Sequence, residues 1–332
     1  MITPELVEKF RSAKHVLFAT HERPDGDALG STFGMRACLR AAGREAEVLI
    51  PGELPHRYRR LCRDPRRELT PAELDGFDLV ASFDCANVAR LSLPVGITIE
   101  MLRERNFVNL DHHAGNNIEA AVNCVVPTAS STSFLASRLA AECNFTLPPE
   151  AATLFLAGMM TDTGCFRFSN TDPATLQRAA ALLEARADLE RISNEVFFSK
   201  PRNYAAFEAD LMANHLRFGC GGRFAYANIT PELLAAHDFD LREDEGVIDL
   251  LRELDGVVVA MLVHRNAEGA CKVSLRSKER RFPVGPLARR HGGGGHDLAA
   301  GLTLHVADFA EVDALMEREV AALLDGPGIA LP

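Results

Sequence analysis

Four short segments of this chain carry side chains that could do chemistry. The first is His21-Glu-Arg-Pro-Asp25-Gly-Asp27, where Pro24 and Gly26 impose a tight turn that can aim His21, Asp25 and Asp27 into a small volume. The second is Asp84, which closes the apolar run LVASF, and the third is Asp111-His112-His113 at the end of FVNL. The fourth is Thr161-Asp162-Thr163-Gly164, after the apolar stretch TLFLAGMM. Each has an ordinary reading by itself, as an Asp that caps the next helix or as a surface turn. Together they pool Asp25, Asp27, Asp84, Asp111 and Asp162 with His21, His112 and His113, none at the spacing of a zinc finger or an EF-hand. Carboxylates this close repel one another unless a cation lies between them. Mixed carboxylate and imidazole donors suit Mn²⁺ or Mg²⁺ better than a thiolate-loving metal. Two such ions sharing a carboxylate are a standard device for phosphate-ester hydrolysis: they lower the pKa of a bridging water and offset the charge of the phosphoryl oxygens. Neighbouring side chains on an extended segment face opposite ways, so one of the paired histidines can bind metal while the other faces substrate.

The elements that must position these groups can be read from the apolar runs. HVLFAT (15–20), EVLI (47–50), DLVASFD (78–84) and FVNLD (107–111) read as strands, and 28–43 as a helix with Gly43 just past its end. Strands alternating with helices imply an α/β fold with a largely parallel sheet covered on both faces, and ligands of such sheets bind at the carboxyl ends of the strands. Helical patterns follow at 131–143, 149–160, 174–186 and 189–198. The pattern then restarts, with strands at 223–229, 257–265, 270–277 and 301–306 and helices near 231–236, 246–254 and 308–324. The spacing predicts a first domain over residues 1–187, a helical linker over 188–215 and a smaller α/β domain over 216–332, with a tail from 325 that frays.

These residues resemble a known family. THERPDGDALGS, Asp84, the triplet at 111–113 and TDTGCFRFSN look like the four motifs of the DHH phosphoesterases, and GGGGHDLAAG (292–301) looks like the signature of the DHH-associated C-terminal domain. The set runs in the expected order from about Lys14 to Gly301, and length and layout are similar to the nanoRNase subgroup. That resemblance implies hydrolysis of short oligoribonucleotides to mononucleotides and removal of the 3′-phosphate of 3′-phosphoadenosine 5′-phosphate (pAp). It implies two metal ions, typically Mn²⁺, with Mg²⁺ as the alternative. His21 and Asp25 match ligands of one ion, and Asp27, His112 and Asp162 match ligands of the other. Asp84 matches the carboxylate that bridges both. Asp111 would orient an imidazole, and His113 would face the scissile phosphate as donor or general acid. In the C-terminal domain Gly293, Gly294, Gly295 and His296, with Ser274 and Arg276 two apart on one strand face, would bind the substrate's far end. A homodimer follows only by analogy with the family.

Other readings stay open at this point. A phosphodiesterase for linear dinucleotides such as pGpG or pApA would use the same site. A related pyrophosphatase would leave GGGGHDLAAG unexplained. A non-catalytic nucleotide-binding module keeping the fold is the rival of another class.

Composition narrows the partners. At 332 residues the chain is too long for one ordinary core, and its apolar content of 47% excludes wholesale disorder. The net charge of −10 argues against a protein that coats long duplex nucleic acid, and the absence of Trp argues against a long stacking channel for single strands. Two local basic segments run against that balance. Arg57 to Arg67 reads as a solvated helix face. Residues 276–290, beside the glycines, are the better candidates for phosphate contact. The eight cysteines include no CxxC pair, which points to reduced, mostly buried thiols in the cytoplasm. The first fifteen residues carry charges where a secretion signal would need an apolar stretch, and Val247–Val263 is broken by charges, so no membrane partner is expected.

Overall fold

In HVLFA successive side chains face opposite sides, and both sides are buried. Val16 and Phe18 join one apolar cluster and Leu17 and Ala19 another. A strand buried on both faces needs cover on both faces, as a parallel sheet has. The computed structural model describes residues 2–241, 246–266, 268–306, 308–326 and 328. The chain divides into two units, Met1–Ser199 and Lys200–Pro332. The predicted fraying of the tail falls largely on positions outside the described residues.

The first unit is built on strands β1 (His15–Ala19), β2 (Glu45–Val48), β3 (Leu79–Phe83), β4 (Phe107–Asp111) and β5 (Val122–Val125), in the order β2-β1-β3-β4-β5. Every pairing is parallel, with Phe18 opposite Val48 and Ala81, and Leu110 opposite Phe83 and Cys124. The chain leaves β1 to one side for β2 and to the other for β3. The topological switch point therefore lies between β1 and β3, where open parallel sheets leave a crevice beyond the strand ends. The second strand sits two residues earlier than predicted, because Ile50 turns away to take the carbonyl of Arg66.

On the side of Val16 and Phe18 pack the helices Gly26–Ala41, Thr132–Glu142 and Pro149–Asp162. Two of them cross at glycine. A methyl group on Gly30 would lie 2.6 Å from the Leu154 carbonyl oxygen and 2.9 Å from backbone atoms of Gly158. Only hydrogen at Gly30 allows that approach. Gly43, left-handed at φ 73°, follows the end of the first helix as predicted.

The arginines of 57–67 correct the sequence reading. They lie in a short 3₁₀ turn, His56–Tyr58, and the loop after it, not on a helix face. Their guanidinium groups hold main-chain carbonyls: Arg59 that of Leu54, Arg63 that of Arg60, Arg66 that of Glu68, and Arg67 those of Ile50 and Gly52. Arg66 also pairs with Glu47 and Glu73. The cluster fastens a loop that has little secondary structure of its own.

The second unit is a six-stranded sheet in the order β10-β11-β9-β8-β7-β6, from β6 (Arg217–Gly219), β7 (Phe224–Ile229), β8 (Val259–Arg265), β9 (Cys271–Ser277), β10 (Gly294–His296) and β11 (Ala299–Leu304). Only β7 and β8 are parallel. In β9 the odd-numbered residues are buried, and Lys272, Ser274 and Arg276 are half-buried on the other face. The helix Phe309–Asp325 brings Asp313 to 2.9 Å from the Asn228 amide and 2.7 Å from Arg217. Residues 200–215, helical for much of their length, contribute Tyr204, Phe207 and Leu211 to this unit's core, whereas 188–199 stay with the first unit. Among the described residues no helix is long and apolar enough to cross a membrane.

Candidate metal centre

Three neighbouring strands at the switch point, β1, β3 and β4, each end in one of the predicted segments. β1 runs into His21–Asp27, β3 into Asp84, and β4 into Asp111–His113. Asp162 arrives at the last turn of the helix Pro149–Asp162.

Asp25 serves the helix that follows and faces the site at once. Its Oδ1 accepts the N–H groups of Asp27 and Ala28 at 3.0 and 3.1 Å, a helix cap, and its Oδ2 stands 3.9 Å from His21 Nε2. Asp27 points across to the start of another helix. Its two oxygens accept the main-chain N–H groups of Thr132 at 2.6 Å and Ser133 at 2.7 Å. A helix N-terminus, with its unpaired N–H groups, stabilises a buried carboxylate of this kind.

Asp84 lies between the histidines. Its Oδ2 is 3.9 Å from His21 Nε2, and its Oδ1 is 3.7 Å from His112 Nε2. The Thr132 hydroxyl donates to Oδ1 at 2.9 Å. The Asp84 backbone is left-handed at φ 55°, a costly conformation for a residue with a side chain, and it occurs where the carboxylate must leave the strand direction. His112 Nε2 is also 3.8 Å from Asp27 Oδ2 and 3.7 Å from Asp162 Oδ2. Separations of 3.7–3.9 Å are too long for hydrogen bonds. They bring donor atoms together in two groups, His21 with Asp25 and Asp84, and Asp27 with His112 and Asp162, each within 4.8 Å.

The tautomers are set by the main chain. His21 Nδ1 is 2.8 Å from the Glu22 carbonyl and His112 Nδ1 is 3.2 Å from the Ala129 carbonyl. With Nδ1–H donating to these oxygens, each Nε2 turns a lone pair toward the carboxylates, as a metal-ligating histidine requires.

Electrostatics agrees with the donor chemistry. Burial, and then Asp25, push Asp27 up to about 7. Burial and the surrounding Asp27, Asp25, Asp111 and Asp162 push Asp84 well above the ordinary carboxylate range. Burial holds His21 below its ordinary value and therefore neutral. Crowded, buried acids beside neutral imidazoles fit divalent cations, which would remove the mutual repulsion.

His113 has a different partner. Its Nδ1 meets Asp111 Oδ1 at 2.8 Å, while the amide of Asn116 donates to Asp111 Oδ2 at 2.6 Å. Burial opposes a charge on His113, but the hydrogen bond and charge of Asp111 outweigh it and raise its pKa. Burial likewise opposes the Asp111 charge, and His113 and Asn116 outweigh that and hold Asp111 below its usual value.

Sequence reasoning missed Thr132, Ser133 and Asn116. The Ser-Ser-Thr-Ser run at 130–133 was the available signal for the helix start. Asn170, within the TDTGCFRFSN stretch, donates to the Ser130 carbonyl at 2.8 Å and the Asp162 carbonyl at 3.2 Å. Gly164, Cys165 and Phe166 are consecutively left-handed, so the chain turns sharply after Asp162. Each residue with a side chain in that region costs about 1–2 kcal/mol.

In the second unit Arg276 lies opposite Ala299, and Ala299 opposite His296. Ser274 lies opposite Gly301, and Gly301 opposite Gly294. The glycine run is thus partly an edge strand and not a free loop. Gly295, at φ 120°, sits where a methyl group would meet the Ala299 carbonyl at 2.5 Å. Gly293 is similarly close-packed against Gly301, whereas Gly294 faces open space. In the basic segment 276–290, Arg281, Arg289 and Arg290 pair with Glu279, Asp297 and Glu319.

No disulfide joins any of the eight cysteines, and burial pushes the Cys38, Cys62, Cys85 and Cys143 thiols up to about 12, far from nucleophilic thiolate.

Comparison with known proteins follows the two units. Residues 15–159 match the DHH family N-terminal domain and residues 214–322 match the DHHA1 domain. The bifunctional oligoribonuclease and PAP phosphatase of Thermus thermophilus is 32% identical over 334 residues, covering 96% of this chain and 95% of that protein. The Bacillus subtilis protein of the same description is 26% identical over 316 residues, covering 92% and 95%. Among solved structures, an exopolyphosphatase-related protein from Bacteroides fragilis shares the fold with a TM-score of 0.86 at 22% identity, covering 98% of this chain and 99% of that one.

Proposed function

Given that this chain belongs to the DHH family, with a DHHA1 domain after the DHH domain, we propose that it hydrolyses short oligoribonucleotides to mononucleotides and removes the 3′-phosphate of pAp. The observation that carries this reading is the division of the Asp84 carboxylate, one oxygen toward His21 and the other toward His112. A carboxylate so placed suits two neighbouring cations.

In this reading His21, Asp25 and Asp84 hold one divalent cation, and Asp27, His112, Asp162 and Asp84 hold the other, with Mn²⁺ as the ion. Bound cations of this kind supply an activated water and offset charge on the phosphoryl oxygens. The rest falls to the protein. Thr132 and Ser133 fix the Asp27 carboxylate, and the Thr132 hydroxyl fixes Asp84. Asp111 holds His113 through Nδ1 and favours its protonated form, so Nε2–H can donate to the leaving 3′-oxygen. Arg276, Ser274, His296 and Gly293 to Gly295 form the nucleotide-binding strip of the DHHA1 domain. Arg276 grips a phosphate, and the glycine main chain approaches it closely. Eight cysteines without a disulfide suit a cytoplasmic site of action.

The test is an assay of the chelator-treated and Mn²⁺-restored protein on labelled two- to five-mers, pGpG, pApA, pAp and a long strand. We expect Mn²⁺-dependent release of mononucleotides from the short substrates and of phosphate from pAp. Preference for the long strand, or full activity after chelation, overturns the proposal.

A further inference from the structure

Most cations of the first unit are engaged in holding the fold, and Arg90 is not. It ends the 3₁₀ turn Val88–Arg90 that follows Asp84, and its side chain is exposed. Its guanidinium NH2 stands 3.4 Å from His21 Nδ1. That nitrogen already faces the Glu22 carbonyl at 2.8 Å, so two donors meet and the contact is no hydrogen bond of its own. Among the described residues no carboxylate forms an ion pair with Arg90.

Its main chain is nevertheless pinned. The Arg90 carbonyl accepts Glu22 N–H at 2.7 Å, Ser92 N–H donates to the Thr20 carbonyl at 2.8 Å, and Leu91 bridges to His21. The fold therefore holds a permanent positive charge against an imidazole that must be neutral to ligate. A guanidinium there repels any cation bound by His21, Asp25 and Asp84. An anion bound by both the guanidinium and the cation offsets that repulsion. A phosphate fits, because a guanidinium fork can donate to two of its oxygens while the others face the cation.

We propose that Arg90 is a substrate-binding residue that takes the non-bridging oxygens of the phosphoryl group delivered to His21, Asp25 and Asp84. The proposal rests on the phosphoesterase reading and adds a residue to it. Removing one such donor costs on the order of 10²-fold in turnover efficiency.

The experiment compares wild type, Arg90→Ala and Arg90→Lys in three measurements. These are kcat and KM on pAp, Mn²⁺ affinity of the substrate-free protein, and affinity of inorganic phosphate for the Mn²⁺-saturated protein. For Arg90→Ala we expect kcat/KM to fall about 10²-fold, phosphate affinity to fall in step, and Mn²⁺ affinity to stay equal or tighten. Arg90→Lys should recover part of the loss, since it restores charge without the fork. Unchanged phosphate affinity or kcat/KM in Arg90→Ala overturns the assignment, and so does a parallel loss of Mn²⁺ affinity. Phosphate binding needs no turnover. A wild type that binds phosphate through Arg90 but hydrolyses none of the short substrates overturns the proposed activity and leaves Arg90 as an anion ligand.

Discussion

Asp27 and Ser133 lie 106 positions apart in the chain, and the carboxylate of one accepts the main-chain N–H of the other at 2.7 Å. The bond ties the first turn of the helix Gly26–Ala41 to the first residues of the helix Thr132–Glu142. The neighbouring Thr132 uses its N–H on Asp27 and its hydroxyl on Asp84. One helix start thus sets the spacing of two acids, Asp27 in the first turn of the helix Gly26–Ala41 and Asp84 just past β3.

Asp84→Ala removes the group that faces both histidines. Even outer partners of metal ligands cost 10- to 100-fold when lost. We expect more than about 10³-fold loss of kcat on this scale, together with loss of bound manganese by elemental analysis and an unchanged circular dichroism spectrum. Full activity in this variant would falsify the shared-carboxylate assignment.

His113→Gln and Asp111→Asn should each lower kcat by about 10²- to 10⁴-fold, the span of general acid catalysis, with manganese content retained. Because Asp111 works through His113, the double variant should be little worse than the more severe single one. Losses that multiply across the two sites would show that they act independently.

Gly30→Ala forces a methyl group into the Leu154 carbonyl and the Gly158 backbone. Overpacking of this kind costs about 1–3 kcal/mol, or several degrees of melting temperature. Since Asp27 is one turn away, Mn²⁺ affinity should weaken as well. Gly52→Ala, where the added carbon meets nothing within 4 Å, is the control and should melt like wild type. Equal melting temperatures for the two variants would refute the tight crossing.

In the second unit burial raises the pKa of Asp313, against the pull of Asn228 and Arg217. A carboxyl whose pKa is higher folded than unfolded binds protons more readily in the folded state. Its contribution is complete below the unfolded value, near 3.8, and is lost as pH rises through the folded one. The melting temperature of wild type relative to Asp313→Asn should therefore fall as pH is raised from about 4 toward 8. A constant difference over that range would mean an ordinary, unshifted carboxylate.

Much of the centre could be read in the sequence because β1, β3 and β4 change abruptly from apolar to acidic or histidine residues at their carboxyl ends. Those ends fall beside the switch point, so His21, Asp84 and His112 meet. The helix Gly26–Ala41 was legible from residue 28 onward, with Gly43 after it, but Gly26 and Asp27, read as part of the turn, form its first residues because Asp25 caps it two residues earlier. Thr132 and Ser133 were not legible as partners of Asp27, since their contribution there is a main-chain N–H that every residue but proline carries. The strands β5, β6 and β10 were missed because three or four residues give too short a pattern, and β10 is made of glycine and histidine. The 57–67 arginines misled because charge in sequence says nothing of which carbonyl a guanidinium will reach.

The span from His21 to Asp162 has a consequence for biosynthesis. On the ribosome β1 to β4 emerge before Asp162 does, and a domain folds as a unit during synthesis. Until that residue leaves the exit tunnel, the nascent chain carries most of its acids with one donor missing. On the proposed reading the group of Asp27, His112 and Asp162 is completed late in the birth of the protein, and a chain stalled before Asp162 would hold a half-built, self-repelling crown of acids.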